Sequence, residues 1–358
     1  MFKQLDIYIF RKFIGTFLFA LLLFTMVAIV IDLVEKLDDI IEKQVPMGEL
    51  IMEYYFNFVP HIDALLTPLF AFIAVIFFTS RLAYRTEIVA MLASGISYYR
   101  VLVPFFAAAT LIAVILWWGN NYGVPNANKN RLAFEAKYIN NFDRYRKNVH
   151  LQISKDNYIF MENYASRDST GYKFSYEIFN AGQLVYKLRA DRIQWQGSTD
   201  NWSVKNYVVR EFTREGETFY SGKVLDTVYN FKPSDLVKRS NSKEEMNTSE
   251  LKDHIAMMQL RGEEGVEYYY IELYRRTADS FMVLILTLIG VTIASRKVRG
   301  GMGFHLAMGF ALAGLYIVFG QFSKTFSTNG SLPPILGIWI PNIVFAGLGV
   351  WLFRKAQK

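Results

Sequence analysis

Six long apolar runs, three before residue 120 and three after residue 275, decide most of what this chain can become. In lipid no water satisfies the backbone, so a run of this kind crosses a bilayer only as a helix or as part of a closed barrel. Residues 13–31 are uninterrupted apolar sequence, close to the roughly 20 residues that a helical span needs. The run is too long for a signal-peptide core and no small-residue cleavage site follows, so it reads as a retained span. The other five cover about 62–79, 101–118, 277–294, 302–322 and 332–353. Pro68, Pro104, Pro333, Pro334 and Pro341 fall in or at the edge of these runs, where neighbouring helices satisfy a freed carbonyl. Trp117 and Trp118 close the third run at the level where aromatic belts sit.

The short flanks fix an orientation. Lys3, Arg11, Lys12, Arg81, Arg85, Arg100, Arg296, Lys297, Arg299, Arg354, Lys355 and Lys358 belong to one side of a six-span bundle, against only Lys36, Lys43 and Lys324 in the opposite short loops. The positive side is the cytoplasmic one. Both termini and residues 81–100 are therefore expected inside, and the long insert at about 119–270 outside. The formal charge of +7 is spent beside apolar runs, which argues against a nucleic-acid partner.

The insert reads as β structure. Phe174, Tyr176 and Ile178 alternate with polar residues, as do Leu184, Tyr186 and Leu188; Trp202, Val204, Val208 and Phe212 continue the habit with a break near Asn206. Turn residues at 169–171, 181–182, 197–201 and 216 separate the runs at intervals that suit an antiparallel sandwich or an open, folded sheet. Residues 233–247 read as a polar linker. Thr248 or Ser249 is placed to cap a helix to about Leu260, interrupted by Gly262 and Gly265 before a long helix enters the membrane.

Chemistry of the enzymatic kind is not visible. Gly216 and Gly222-Lys223 are one residue too far apart for a phosphate-binding loop, and Val224 stands where a hydroxyl residue would hold magnesium. His61, His150, His254 and His305 lie on different elements without metal-ligand or nucleophile–base spacing. With no cysteine, disulfides and thiolate metal sites are impossible. The expectation is a non-enzymatic chain without a cofactor or metal. His305 reads as a packed or interfacial histidine.

Two groups of polar residues carry alternative readings. Lys36, Arg275 and Arg276, with Glu272, Asp63 and Asp279, sit at span ends. They serve either as interfacial anchors and i,i+4 pairs or, for the three cations, as the phosphate-facing wall of a lateral opening. Residues 81–100 are the polar stretch between the second and third runs. Ile88, Met91 and Leu92 share one helical face behind Glu87, Gly95 and Ser97 follow as a stop and restart, and Ala90, Ala93 and Ser94 keep one side slim. This is either an ordinary solvated loop or a short helix of about 82–97 shaped to seat in another protein.

Taken in order, the motifs carry a resemblance. The first cytoplasmic loop reads Arg85-Thr-Glu-Ile-Val-Ala-Met-Leu-Ala-Ser-Gly-Ile-Ser97. The fourth span opens Glu272-Leu-Tyr-Arg-Arg276 and exits through Arg299-Gly-Gly-Met-Gly303. The last begins Gly330-Ser-Leu-Pro-Pro-Ile-Leu-Gly337 and continues Trp339-Ile-Pro-Asn342. Together with three spans, an external β domain and three more spans, these resemble the LptF/LptG (YjgP/YjgQ) family of lipopolysaccharide export permeases over essentially the whole chain. The last span leans towards the G-like member. The resemblance implies a polytopic α-helical membrane protein of six transmembrane helices with an inserted periplasmic β-jellyroll domain. The expected parts are spans 1–3 at 1–118, the β domain at 119–247, a helical linker at 248–276 and spans 4–6 at 277–358.

It also implies partners and roles. A second permease of the family and a cytoplasmic ABC ATPase dimer complete an inner-membrane transporter of a Gram-negative bacterium. Lipopolysaccharide enters between first and fifth spans and passes through the periplasmic domain to jellyroll bridge proteins. Arg85, Glu87, Met91, Leu92 and Gly95 become the ATPase-coupling helix. Lys36, Arg275 and Arg276 become headgroup contacts. Tyr158, Phe160, Phe174, Tyr176, Leu184, Tyr186 and Leu188 become candidates for an acyl-chain groove, or else sandwich core. Two departures stand out: 28–31 lacks the basic residue that G-like members can carry, leaving Lys36, and Ala278-Asp279 stands where a proline is common. The competing classes are the permease of another ABC lipid or lipoprotein export system, an ion-coupled carrier and a scaffold. The first usually places its external domain after the first span, and the second wants ionisable groups at mid-membrane.

Overall fold

The computed structural model describes residues 4–139, 145–154, 156–166, 168–197, 200–213, 216–236, 242–260, 265–298 and 300–356. Lys3, Arg299, Lys358 and Gly262, singled out above, lie outside these residues, as does 237–241 of the expected linker. Two units are present. The first holds the helices, and the second, centred on residues 140–242, holds the sheet.

Six helical stretches are long and apolar enough to cross a membrane. Each extends further than its apolar run. Helix α1 (Gln4–Glu42) begins nine residues before the apolar run and continues through the acidic 32–42 segment. The charges expected to end the span end only its apolar part, because Asp32 and Lys36 are one helical turn apart and pair at 2.7 Å. Residues 40–61, between the first two apolar runs, are mostly helical too: Pro46 precedes α2 (Met47–Glu49), a π-helical turn follows at Leu50–Tyr55, and α3 (Phe56–Tyr84) completes the stretch. After α4 (Glu87–Ala93), α5 (Tyr98–Trp118) runs through a second π-helical turn, Gly119–Gly123, into α6 (Val124–Tyr138). The expected start of the β domain at 119 is thereby moved to 145. Pro125 lies just after that π-helical turn, in the first turn of α6.

Beyond the sheet come the single turns α7 (Pro233–Leu236) and α8 (Ser242–Glu245), then α9 (Thr248–Leu260). The cap of α9 is Asn247, not Thr248 or Ser249. Its side chain accepts from the amides of Ser249 and Glu250 at 3.0 Å, while Glu250 accepts from the Asn247 amide at 2.9 Å, a reciprocal capping box. Helices α10 (Val266–Ala294), α11 (Gly301–Thr328) and α12 (Pro334–Ala356) follow. α10 is unbroken through Ala278-Asp279.

The bundle core is formed by Phe13, Phe72, Phe105, Leu286 and their neighbours on α1, α3, α5 and α10. Gly290 lets α10 meet α3, since a Cβ there would lie 2.5 Å from Val75. Asn342, fully buried, donates to the Ala278 carbonyl at 3.1 Å and accepts from Tyr316 at 2.9 Å, tying α10, α11 and α12. That gives the Trp339-Ile-Pro-Asn342 motif a packing role.

The second unit is a six-stranded antiparallel sheet in the order β1-β2-β3-β4-β5-β6. The strands are Tyr145–Ser154, Asn157–Ala165, Thr170–Asn180, Gln183–Gln196, Asn201–Thr213 and Gly216–Thr227. Neighbours in sequence are neighbours in the sheet, so the described strands run up and down in one antiparallel sheet, the β domain inserted between the third and fourth spans. At the β3–β4 turn Ala181 and Gly182 both have positive φ, the requirement of a two-residue type I′ hairpin.

One row crosses the whole sheet without pairing. The ladders skip Asn148, Glu162, Lys173, Asp191, Asn206 and Lys223, which are opposite one another on successive strands. Asn148, Lys173 and Asn206 are left-handed there, with φ of 51°, 51° and 54°. Each strand changes phase there while the cross-strand register is kept, and its inward set slips: Leu188 and Ala190 are followed inward by Ile193 and Trp195. Stacked in one line, these phase changes crease the sheet. The break anticipated near Asn206 is one member of the crease. The core it encloses includes Met161, Phe174, Leu188 and Trp202, with Phe231 packed over Trp202 and accepting its indole N–H at 2.9 Å.

Candidate functional site

The stretch at 81–100 is shorter as a helix than its pattern suggested. Residues 82–84 belong to α3, α4 is Glu87–Ala93, and Ser97 caps α5 by accepting from the Arg100 amide at 3.3 Å. Thr86 and Gly95, at φ 58° and 84°, turn the chain at either end of α4. Ile88 and Met91 are buried in the bundle core, whereas Leu92 is 40% exposed. The shared face of three therefore splits. Arg85, Leu92 and Gly95 lie on the outer side with Val89, Ala90, Ala93 and Ser94; Glu87 is half-buried and accepts from Tyr8 of α1 at 3.5 Å. The outer side is slim and lightly apolar, fixed to the bundle by two inward residues.

The candidate headgroup cations fall into two clusters at the opposite end of α1, α3 and α10. Lys36 meets Asp32 at 2.7 Å, Glu135 at 3.1 Å and the Tyr54 hydroxyl. Arg131 meets Glu135 at 3.1 Å and Asn128 at 3.1 Å. Two cations thus face two carboxylates around a buried tyrosine. In the second cluster Arg275 holds Glu272 in two hydrogen bonds, at 3.1 and 3.0 Å, and Asp279 at 3.0 Å. Arg276 is 1% exposed. It donates to Glu272, to Thr248 at 3.0 Å, and to the carbonyls of Lys243 and Met246 at 3.2 and 2.8 Å. Glu244 stands between the clusters: burial pushes its carboxyl up, the Glu272 carboxylate adds to this, and Arg275 and Arg131 oppose it. Lys36, Arg275 and Arg276 are all partnered by carboxylates, and Arg276 is turned wholly inward.

Asp32, Tyr54, Arg131 and Glu135 were missed from sequence. The signal was there for the last two: Asn128, Arg131 and Glu135 follow a helical spacing of three and four. Reading 119–247 as β hid it.

The seven groove candidates do not share one surface. Phe174, Tyr176, Tyr186 and Leu188 belong to the inner cluster, with Phe174 and Leu188 fully enclosed. Tyr158 and Phe160 face the other way and line a cavity of about 580 Å³ with Lys173, Lys187 and Arg189. Leu184 is half-buried at the point where the β3–β4 register shifts. Tyr229 and Phe231, beyond the last strand, complete the inner aromatic set: Tyr229 lies 5.0 Å from Tyr176 and 5.7 Å from Phe174 between ring centres.

Six spanning helices interrupted after the third by a creased antiparallel sheet set a strong constraint on kinship. Residues 7–355 match the family described as lipopolysaccharide export system permease LptF/LptG. The chain belongs to that family. No curated protein matches it. As an LptF/LptG permease the chain is a membrane component of a lipopolysaccharide transport complex, and its place is the inner membrane. The bundle and the sheet each hold an apolar core of their own.

Proposed function

We propose that this permease works as one of a pair with a second LptF/LptG chain, driven by a cytoplasmic ABC ATPase dimer, and passes lipopolysaccharide from its periplasmic sheet to bridge proteins. The observation that carries the reading is α4. Moving a multi-acyl lipid out of its bilayer exposes apolar area at roughly 25 cal/mol per Å², and the chain has no nucleotide motif to supply the work. The force then enters through a contact. α4 offers one: Ile88 and Met91 root it in the core, while Arg85, Val89, Leu92 and Ala93 face out. Glu87 at its start supplies the charge that a basic ATPase residue would meet.

On this reading both termini and α4 are cytoplasmic and the sheet is periplasmic. Lys36 and Arg275 hold the outer end of the path, where a lipid phosphate competes with Asp32, Glu135, Glu272 and Asp279 for them, while Arg276, turned inward, holds Glu272 in place. Tyr176 and Tyr186, half-buried at the edge of the inner cluster, are the groove candidates left open to acyl chains. The F-like or G-like role follows from the last span, which favours G-like.

The test is affinity purification from native membranes in mild detergent, with mass spectrometry of what accompanies the chain. An ABC ATPase and a second six-span permease are expected with the wild type, and the ATPase is expected to be depleted with Glu87→Lys. Recovery of the wild-type chain without any ATPase would sink the reading.

A further inference from the structure

At the end of the bundle where α10 and α12 finish, a cavity of about 180 Å³ opens between α10, α11 and α12. Its walls are apolar, from Ile293, Met308 and Leu352 among others. Its exposed polar lining is Arg296 and Lys355. The Arg296 guanidinium donates to the Lys355 carbonyl, which fastens the two helix ends together beside the cavity that both residues line. Neither has a carboxylate partner among the described residues, and 293–300 and 350–358 contain no Asp or Glu. The cluster contrasts with the opposite end of the bundle, where Lys36, Arg131, Arg275 and Arg276 are all matched by carboxylates.

Two further observations point to the ligand. His305 lines the cavity and is 2% exposed; its Nδ1 lies 2.8 Å from Ser80 Oγ, and its Nε2 has no partner. When Ser80 donates to Nδ1, Nε2 carries the hydrogen and is a donor in want of an acceptor. The Lys355 ammonium also sits 5.2 Å from the centre of the exposed Trp351 ring. A tryptophan beside a lysine at a span end marks headgroup depth. Uncompensated cations, a buried donor and apolar walls at that depth suit a phosphodiester with the first carbons of its acyl chains below it.

We infer that this cavity binds the headgroup of an anionic phospholipid, with Arg296 and Lys355 on the phosphate and Ile293, Met308 and Leu352 along the glycerol and upper acyl carbons. The site differs from the export path proposed above in position and in ligand. It requires only that this end of the bundle meet a membrane surface, so it stands or falls apart from the ATPase reading. With the proposed orientation the lipid belongs to the cytoplasmic leaflet.

The test is native mass spectrometry of the purified full chain titrated with phosphatidylglycerol, phosphatidylethanolamine or inorganic phosphate. Wild type is expected to retain phosphatidylglycerol about tenfold better than phosphatidylethanolamine. The double variant Arg296→Gln/Lys355→Gln is expected to lose that preference. Lys297→Gln/Arg354→Gln removes the same charge from outside the cavity and is expected to keep it. Equal loss in both doubles reduces the effect to diffuse attraction and overturns the site. Displacement of the lipid by millimolar phosphate assigns the site to a free ion instead. If the chain assembled with an ATPase retains no phosphatidylglycerol while the isolated chain does, the two cations belong to a protein contact, and the inference fails.

Discussion

Arg276 is the residue on which the linker into α10 depends. A guanidinium has five donors and cannot shed its charge, so a buried one must be met on every side. Here it is met by Glu272, Thr248 and the carbonyls of Lys243 and Met246. The last two are orphan carbonyls at the end of the single-turn α8, which a cation satisfies well. Thr248 in turn donates to Asn121 in the π-helical turn after α5, at 2.5 Å. One side chain thus joins α10, the start of α9 and the α5–α6 junction. Arg276→Ala leaves Glu272 with one cation and strands two carbonyls. Removing one partner of a buried pair costs about 3–5 kcal/mol, so a large fall in melting temperature of the detergent-solubilised protein is expected. Arg275→Ala, where the side chain is 26% exposed, is expected to cost clearly less. Equal shifts would mean that Arg276 is no more structural than its neighbour.

At the scale of the element, the crease explains the sheet. A strand that alternates strictly keeps one set of residues on one face. Asn206 breaks that rule by taking the left-handed region, which asparagine tolerates and β-branched residues do not. Its side chain accepts the place by donating to Asp191 at 2.9 Å, across the unpaired row. Asn206→Val is expected to destabilise the sheet by about 1–2 kcal/mol, and Asn206→Gly by less, read as loss of the sheet's circular-dichroism signal on heating. If valine were tolerated as well as glycine, the left-handed turn would not be what holds the crease. The same feature limits what periodicity revealed. The spans were legible, since apolar runs of that length have one solution in lipid. The strands at 170–180, 183–196 and 201–213 were legible from alternation. Tyr158-Ile-Phe-Met161 was not, because it is apolar on both faces and alternation has no phase there. The crease was visible only at Asn206: Tyr172 keeps step with Phe174 and Tyr176 in the sequence although it lies exposed beyond the slip, and Asn148 sits in a mostly polar stretch. The buried cluster of Asp32, Lys36, Tyr54 and Glu135 was illegible for another reason: its members are up to 103 positions apart and meet only once α6 is helical.

At the scale of the whole molecule, the charge asymmetry has to decide which way the bundle faces. Twelve cations flank the spans on the side of α4 and the termini, and three sit in the short loops opposite. Each of the twelve must cross the bilayer if the chain inserts the other way, and a charge at the helix centre costs about 2.5–3.5 kcal/mol even on the mildest scale. The long sheet unit exerts no comparable restraint, since large domains translocate largely regardless of charge. The absence of cysteine from the sequence makes the test clean. Ala93→Cys puts one thiol on the exposed side of α4, and Thr218→Cys puts one on the exposed edge strand β6. In spheroplasts treated with a membrane-impermeant maleimide, Thr218→Cys is expected to label at once and Ala93→Cys only after the membrane is permeabilised. The reverse pattern would place α4 outside the cell's interior, where no ATPase could reach it, and would leave the sheet unable to hand lipid onward. The labelling result therefore bears on the driving contact and the export path together, because both depend on α4 and the sheet lying on opposite sides of one membrane.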